Sequence, residues 1–255
     1  MAQRLFFYTT GELVKKDLAS FDWTSGLDVS QIQKNIAAFH EAIKKDGKKP
    51  LEISTKGTVP LGVKLSAFNL KLDGFALECL YQASKVYENG GPYTDLLEKK
   101  PKNAKSDPRH VSSGDLTGFR YQGIDWPLLP PSLFYDYIYY RAVQQLPENE
   151  LRELAEYDAF TDIEFNNNSM SARSAQARAA ALVCLVLRKF GTLPEFEPEK
   201  FKVLHETLVR GWRGAERQLL FVSPSARTDT DLGYTIYAKE DVWQNVYTFT
   251  QMVKW

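Results

Sequence analysis

Four stretches of the chain collect residue types that could do chemistry. The first is Glu78-Cys79-Leu80-Tyr81-Gln82-Ala83-Ser84-Lys85. On a helix, at about 100° per residue, Glu78, Gln82 and Lys85 share one face, and Leu77, Leu80, Tyr81 and Ser84 share the neighbouring one. A carboxylate, an amide and an ammonium would then be presented together to a pocket. The same spacing also describes the solvated face of an amphipathic helix, and spacing alone does not separate the two. The second stretch, Glu98 to Arg109, holds five basic residues: Lys99, Lys100, Lys102, Lys105 and Arg109. It reads either as a soluble loop or as a phosphate-contacting patch, in which Arg109 is best suited to a bidentate grip.

The third stretch runs from Asn166 to Ser174 and leads into an Ala-rich helix, with Arg173 and Arg178 in or near its first turns. Helix N-termini bind anions through free backbone N–H groups and the helix dipole. A polar cap at Ser171 or Ser174 would by itself explain the serines. The fourth is Gly123-Ile124-Asp125-Trp126-Pro127, where the indole would stack on a base or plug the core. There is no Ser-His-Asp order, Walker loop or Rossmann glycine pattern.

Several elements must position these groups. Leu5–Tyr8 reads as a strand, Asp17–Trp23 as a returning one, and Ser30–Lys45 as a helix with a Ser30/Gln33 capping box and Ile32, Ile36, Phe39 and Ile43 on one face. Leu51–Ser54 reads as a strand and Val63–Leu72 as strand or irregular chain. Leu77–Asn89 reads as one helix closed by Gly90-Gly91-Pro92. From Pro92 to Pro131 turn-formers dominate with little periodicity, an unusually long irregular stretch of the kind that is often functional. Pro131–Gln145, Glu148–Tyr157 and Ala172–Phe190 read as helices. The last of these is apolar over much of its circumference and so is placed centrally, with Gly191 as its C-cap. A boundary falls in Thr192–Pro198. That divides the chain into a first domain, 1–198, and a C-terminal extension or small subdomain, 199–255, with a helix at Phe201–Trp212 and strands at Gln218–Val222 and Tyr234–Ala238.

Composition narrows the function classes. Among 255 residues, 32 Lys plus Arg balance 32 Asp plus Glu. A net charge of zero excludes a protein held on nucleic acid by a global positive field, and leaves room for a local basic patch. No apolar run reaches the roughly 18 residues of a membrane helix, and Met1–Thr10 lacks the pattern of a signal peptide. Two cysteines and three histidines without ligand spacing argue against a disulfide scaffold or a structural zinc. The expectation is a reduced, cytoplasmic protein with no metal and no cofactor.

Read in order, the segments Leu65-Ser66-Ala67-Phe68-Asn69, Glu78 to Lys85, Lys85 to Leu97, Ala104 to Arg109, Glu156 to Phe165 and Gln176 to Leu182 resemble the NADAR family, from about residue 1 to 191. The chain looks closest to the branch encoded beside DarT-type DNA ADP-ribosyltransferase toxins, where it serves as the antitoxin. The family's S-N-F element corresponds to Ser66-Ala67-Phe68, with Asn69 following in place of the missing asparagine. Its E-H-x-F-Q-x-x-K element corresponds to Glu78, Leu80-Tyr81-Gln82 and Lys85, with Cys79 replacing the histidine. Its G-R corresponds to Pro108-Arg109. The D-x-x-W-G motif has no counterpart, and Glu164 matches the acidic residue that precedes it.

The resemblance implies an α+β, predominantly helical, compact NADAR (YbiA-like) fold with a C-terminal extension. It implies an N-glycosidase pocket that removes ADP-ribose from guanine in single-stranded DNA, with ADP-ribose as product and a DarT-type toxin as functional partner. Cleaving a base from ribose builds positive charge at the anomeric carbon, which a carboxylate stabilises while an acid protonates the leaving nitrogen. Glu78, Lys85 and Glu164 are the implied catalytic residues; Lys85 would serve as acid or as imine-forming nucleophile. Ser66, Phe68, Asn69, Tyr81, Gln82, Arg109, Trp126, Arg173 and Arg178 are the implied ligand contacts, with the pyrophosphate near Ser169–Ser174. Lys99, Lys100, Lys102 and Lys105 would meet DNA phosphates. Two alternatives stay open: a module that holds ADP-ribose without turnover, and an antitoxin that binds its toxin directly.

Overall fold

The computed structural model describes residues 1–26, 28–130, 132–163 and 175–210, with side chains to residue 205, and the short segments 220–221 and 235–236. Residues Met1–Val209 form one compact unit and Arg210–Trp255 a second. The expected break at Thr192–Pro198 leads instead into a helix whose Phe201 packs edge-on to Tyr137, so the first unit extends past residue 198.

The chain opens with β1 (Ala2–Thr9) and β2 (Val14–Phe21), an antiparallel pair in register from Ala2↔Phe21 to Thr9↔Val14. α1 (Val29–Lys44) follows and lays Ile32, Ile36, Phe39 and Ile43 on Phe6 and Phe21. Its cap is Asp28, whose carboxylate accepts from Gln31 N, rather than the expected Ser30, whose own hydroxyl donates to that same carboxylate at 2.7 Å. Then come β3 (Pro50–Glu52), α2 (Pro60–Lys64), the hairpin β4 (Lys71–Leu72) and β5 (Phe75–Ala76), and α3 (Leu77–Ala83). Val63 therefore sits in a helix, started by Pro60 in its first turn, and not in a strand.

α3 stops two turns in, and β6 (Lys85–Tyr87) takes over. The expected helix to Asn89 breaks because the Ala83 and Ser84 carbonyls accept from Tyr93 N and Arg120 N, at 2.9 and 2.7 Å, rather than from amides further along a helix. β-branched Val86 and aromatic Tyr87 then favour a strand. Within the expected irregular stretch, residues 94 to 126 are built of regular elements. The stretch contains a short 3-10 turn (Thr94–Glu98), α4 (Pro101–Lys105), α5 (Arg109–Ser112), β7 (Leu116–Tyr121) and β8 (Ile124–Trp126), elements too short to show a period. β6, β7 and β8 form an antiparallel meander in which Lys85 pairs with Phe119.

The remaining elements are α6 (Leu133–Gln144), α7 (Glu148–Ala155), β9 (Ala159–Thr161), α8 (Ala175–Phe190) and α9 (Pro198–Arg210). β9 completes a four-stranded sheet of order β2-β1-β9-β3, parallel to β3 with Glu52 opposite Thr161. α8 is buried from Ala179 through Leu187 and packs on α6, α7 and the sheet, the central position expected of it. Gly191, at φ +70°, closes it with its N–H on Leu187 O. The result is a mixed α/β, helix-rich fold. In the second unit Leu220–Phe221 pairs antiparallel with Thr235–Ile236. Among the described residues no helix is long and apolar enough to cross a membrane, and no group of three or more His, Cys, Asp or Glu could hold a metal ion.

Candidate active site

The site is built around the first turn of α3. Leu77 N donates to Leu70 O and Glu78 N donates to Ala67 O, both at 2.9 Å. These bonds satisfy amides that a helix start leaves without intrahelical partners, and they fasten the 66–70 loop across it. Ser66 Oγ and Asn69 Nδ2 both donate to Val63 O at 2.9 Å. Their role is to shape this loop, whose tip carries the exposed Phe68. Lys105 Nζ stands 5.9 Å from the Phe68 ring, which brings one of the four expected DNA lysines to the site.

Glu78 is buried, not on a solvated face. Its Oε1 accepts from Gln82 Nε2 at 2.8 Å, one turn on. Among the described residues Gln82 Oε1, which is buried, has no hydrogen-bond partner; buried acceptors of this kind are uncommon. Lys85 joins them from β6, half-buried, with Nζ 5.2 Å from the Tyr81 ring centre. Tyr81 in turn lies against Phe119, Phe134 and Tyr135, at centroid distances of 5.3, 6.3 and 5.2 Å. α6 thus supplies an aromatic floor beneath an ammonium.

Burial pulls the Lys85 ammonium below the usual lysine range. The Glu78 carboxylate opposes this and the charge on Lys105 adds to it. Burial also pushes the Tyr81 phenol up to about 12, helped by Glu78. Tyr135 is held well above its ordinary value by burial, with Tyr139 and Glu78 adding to it, so both phenols stay neutral as hydrogen-bonding groups.

Sequence reasoning does not find the bridge behind Glu78. Gln176 Nε2 donates to Asp162 Oδ2 at 2.9 Å and Gln176 Oε1 accepts from Ala67 N at 2.6 Å. Ala67 is the residue whose carbonyl holds Glu78 N, so α8 reaches the Glu78 backbone through two bonds and Asp162, just past β9, through three. Asp162 stands two residues before Glu164, in the same acidic tripeptide. The signal is therefore present in the sequence, but it points to the wrong position for this bond.

Other expected contacts are placed elsewhere. Trp126 is 2% exposed, with Tyr137 at 4.4 Å and Phe134 at 5.6 Å between ring centroids. It plugs the core and offers no face to a base. The guanidinium of Arg109 is committed to carboxylates: Nε to Asp107 at 2.8 Å, and Nη1 and Nη2 to Asp95 at 3.0 and 2.7 Å. It also lies 4.3 Å over Tyr93. Lys99 closes the same cluster on Asp107 at 2.8 Å. The phosphate grip expected of Arg109, and the DNA contact expected of Lys99, are taken up by aspartates that hold the 3-10 turn to α5. Lys100, the residue capping α4, and Lys102, within it, are exposed. Glu164, Arg173 and the Ser169–Ser174 turn lie outside the described residues.

Arg178 ties α8 to α6 rather than standing free. Nη2 and Nε meet the Asp136 carboxylate at 3.0 and 3.3 Å, and His205 Nε2 meets it at 2.7 Å from α9. Burial pushes the Asp136 carboxyl up, but Arg178 and His205 together hold it below its ordinary value. A lysine would keep the charge and lose the fork. Arg178→Lys is therefore expected to cost about 1.5–3 kcal/mol in urea unfolding at neutral pH. The Asp136 contribution is present above its unfolded pKa and lost as pH falls through the folded one. The difference between wild type and Arg178→Lys should shrink over that acid window; an unchanged midpoint at neutral pH would show that the fork contributes nothing.

A half-buried ammonium, a buried carboxylate, an unpartnered amide oxygen and an exposed aromatic suit a ligand carrying a sugar, a ring and anionic groups. The family model of the DarT1-associated NADAR antitoxin matches residues 2–209, nearly the whole of the first unit. The chain belongs to that family. No curated protein matches it.

Proposed function

We propose that the protein is a DNA ADP-ribosyl glycohydrolase: it hydrolyses the N-glycosidic bond between ADP-ribose and guanine in single-stranded DNA and so reverses a DarT-type toxin in the cytoplasm. The YbiA-like architecture belongs to the same reading. The observation that carries it is the juxtaposition of Glu78, held by Gln82, with the Lys85 ammonium on an aromatic floor. As the base departs, positive charge at the anomeric carbon is stabilised by a carboxylate in a low-dielectric site. Lys85, with its affinity for protons lowered by burial, either protonates the leaving nitrogen while water adds to the sugar cation, or adds as an amine to the anomeric carbon as guanine leaves, giving on ring opening an imine that water hydrolyses to ADP-ribose and free Lys85. Glu164 would supply a second carboxylate. Phe68 is available to stack on a purine, and Lys105 to meet a phosphate beside it. Arg173, outside the described residues, would add a pyrophosphate contact.

The deciding experiment incubates the protein with single-stranded DNA ADP-ribosylated on guanine and measures free ADP-ribose and restored DNA. Stoichiometric retention of the modified strand without release would overturn catalysis in favour of a binding antitoxin. Loss of toxicity without either would point to direct toxin contact.

DNA attraction should come from the exposed α4 lysines, since the whole chain has no net charge. Reversing Lys100 and Lys102 to glutamate is expected to raise KM for modified DNA. It should also flatten the salt dependence by about 0.7 for each DNA phosphate that is no longer neutralised. An unchanged salt slope would remove α4 from the DNA path.

A further inference from the structure

Glu52 lies at the end of β3, 3% exposed, and takes no direct part in the site described above. Its Oε1 accepts from Ile163 N at 2.9 Å, and its Oε2 accepts a short bond from Thr161 Oγ1. The neighbouring Ile53 N donates to Thr161 O at 2.8 Å. Asp162 is thus bracketed: the residues on both sides of it are fastened to Glu52–Ile53. On the far side of Thr161, His40 Nε2 meets Thr161 Oγ1 at 2.8 Å. Burial holds His40 at about 4, so its ring is neutral, and an Nε2 proton donated to Thr161 leaves the threonine hydrogen for Glu52.

From Asp162 the bonds continue: Gln176 Nε2 to Asp162, Ala67 N to Gln176, Glu78 N to Ala67 O. Each link is a directed hydrogen bond between groups of different elements. The path crosses from the sheet through α8 and the 66–70 loop to the first turn of α3.

We propose that Glu52 is a positioning residue, whose carboxylate fixes Asp162 and, through Gln176 and Ala67, the placement of Glu78. As a carboxylate Glu52 accepts from both the Ile163 amide and the Thr161 hydroxyl, although burial raises its pKa; a glutamine keeps one acceptor oxygen and puts an NH2 in place of the other. Small displacements of a reacting group suffice to lower turnover by orders of magnitude.

The kinetic arm of the test rests on the glycohydrolase reading; the exchange arm does not. In full-length protein, Glu52→Gln and, at the half-buried bridge, Gln176→Leu are each expected to lower kcat for ADP-ribose release about ten- to a hundredfold. KM should change less than kcat, because the variants reach the substrate contact at Phe68 only through the backbone of the 66–70 loop. The double variant should be no slower than the slower single one, as befits two links of one path. Hydrogen exchange of the backbone amides gives the second readout. Ala67 and Glu78 amides should lose protection in Glu52→Gln while those of α1 keep theirs, and Gln176→Leu provides the same readout should Glu52→Gln fail to fold. Unchanged protection of Ala67 and Glu78 in both variants overturns the proposal, as do unchanged kcat or independently multiplying losses. If the wild type releases no ADP-ribose, the glycohydrolase reading falls, and amide protection alone decides the role of Glu52.

Discussion

Glu78→Gln is expected to cut release of ADP-ribose roughly 10²–10⁴-fold, the range for loss of one positioned acid–base group, while the fold persists. Glutamine has nearly the shape of glutamate, and its amide oxygen can still accept from Gln82 Nε2, which lies 2.8 Å from Glu78 in the wild type. The substitution removes a buried charge rather than a buried volume, so neither a cavity nor a clash arises. What disappears is the negative charge that the proposed reaction places beside the anomeric carbon. Release kinetics, thermal melting and calorimetry of ADP-ribose binding separate the outcomes. A stable variant that binds ADP-ribose and turns over at the wild-type rate would remove Glu78 from the chemistry.

Lys85→Met should be comparably slow, roughly 10²–10⁴-fold, and yet more stable than the wild type. Burial is the largest influence on the Lys85 ammonium and disfavours its charge; the ring of Tyr81, 5.2 Å away, offsets part of that. Methionine fills the same space without the desolvation penalty, and a gain of about 0.5–2 kcal/mol is expected near neutral pH. The sign with pH follows from the lowered pKa. Between the folded value and the ordinary value of 10.5, the unfolded chain binds more protons, so wild-type stability rises with pH and the gap to Lys85→Met closes. Turnover separates the two roles of Lys85. As an acid it loses activity as pH rises through the lowered pKa; as an amine nucleophile it gains activity there, and borohydride traps the adduct. The limb vanishes in Lys85→Met in either case. A variant with the wild-type profile would exclude both roles.

Much of this site is legible in the sequence, though partly for reasons the structure replaces. The i, i+4 relation of Glu78 and Gln82 is local, and it survives as a direct hydrogen bond. Helical spacing puts Lys85 beside them as a third member of one helix face. It arrives there from a strand instead, because the backbone of Ser84 pairs with β7, a partner distant in sequence. The same limitation hides the 94–126 elements, which are held by Asp95, Lys99, Asp107 and Arg109 and by the His110 ring between Tyr87 and Ala104, not by periodicity. Isolated side chains are the least legible. Trp126 and Arg109 are the types that stack on bases and grip phosphates, and only their surroundings reveal that one is core and the other is paired. Glu52 gives no local signal, since its partners lie 109 and 111 residues away.

The helix-to-strand junction at Ser84 works as a ruler. Glu78 is metered along α3 by helical turns, and Lys85 by its pairing with Phe119. One inserted residue between Gln82 and Lys85 would leave the carboxylate where it is and send the ammonium to the opposite side of β6, because side chains alternate along a strand. One inserted at the Gln122-Gly123 tip of the β7–β8 hairpin would displace neither group. Length variation in chains built on this plan should therefore collect at that tip and be absent between 82 and 85, and a scan of single-residue insertions would trace the Glu78–Lys85 spacing without changing either side chain.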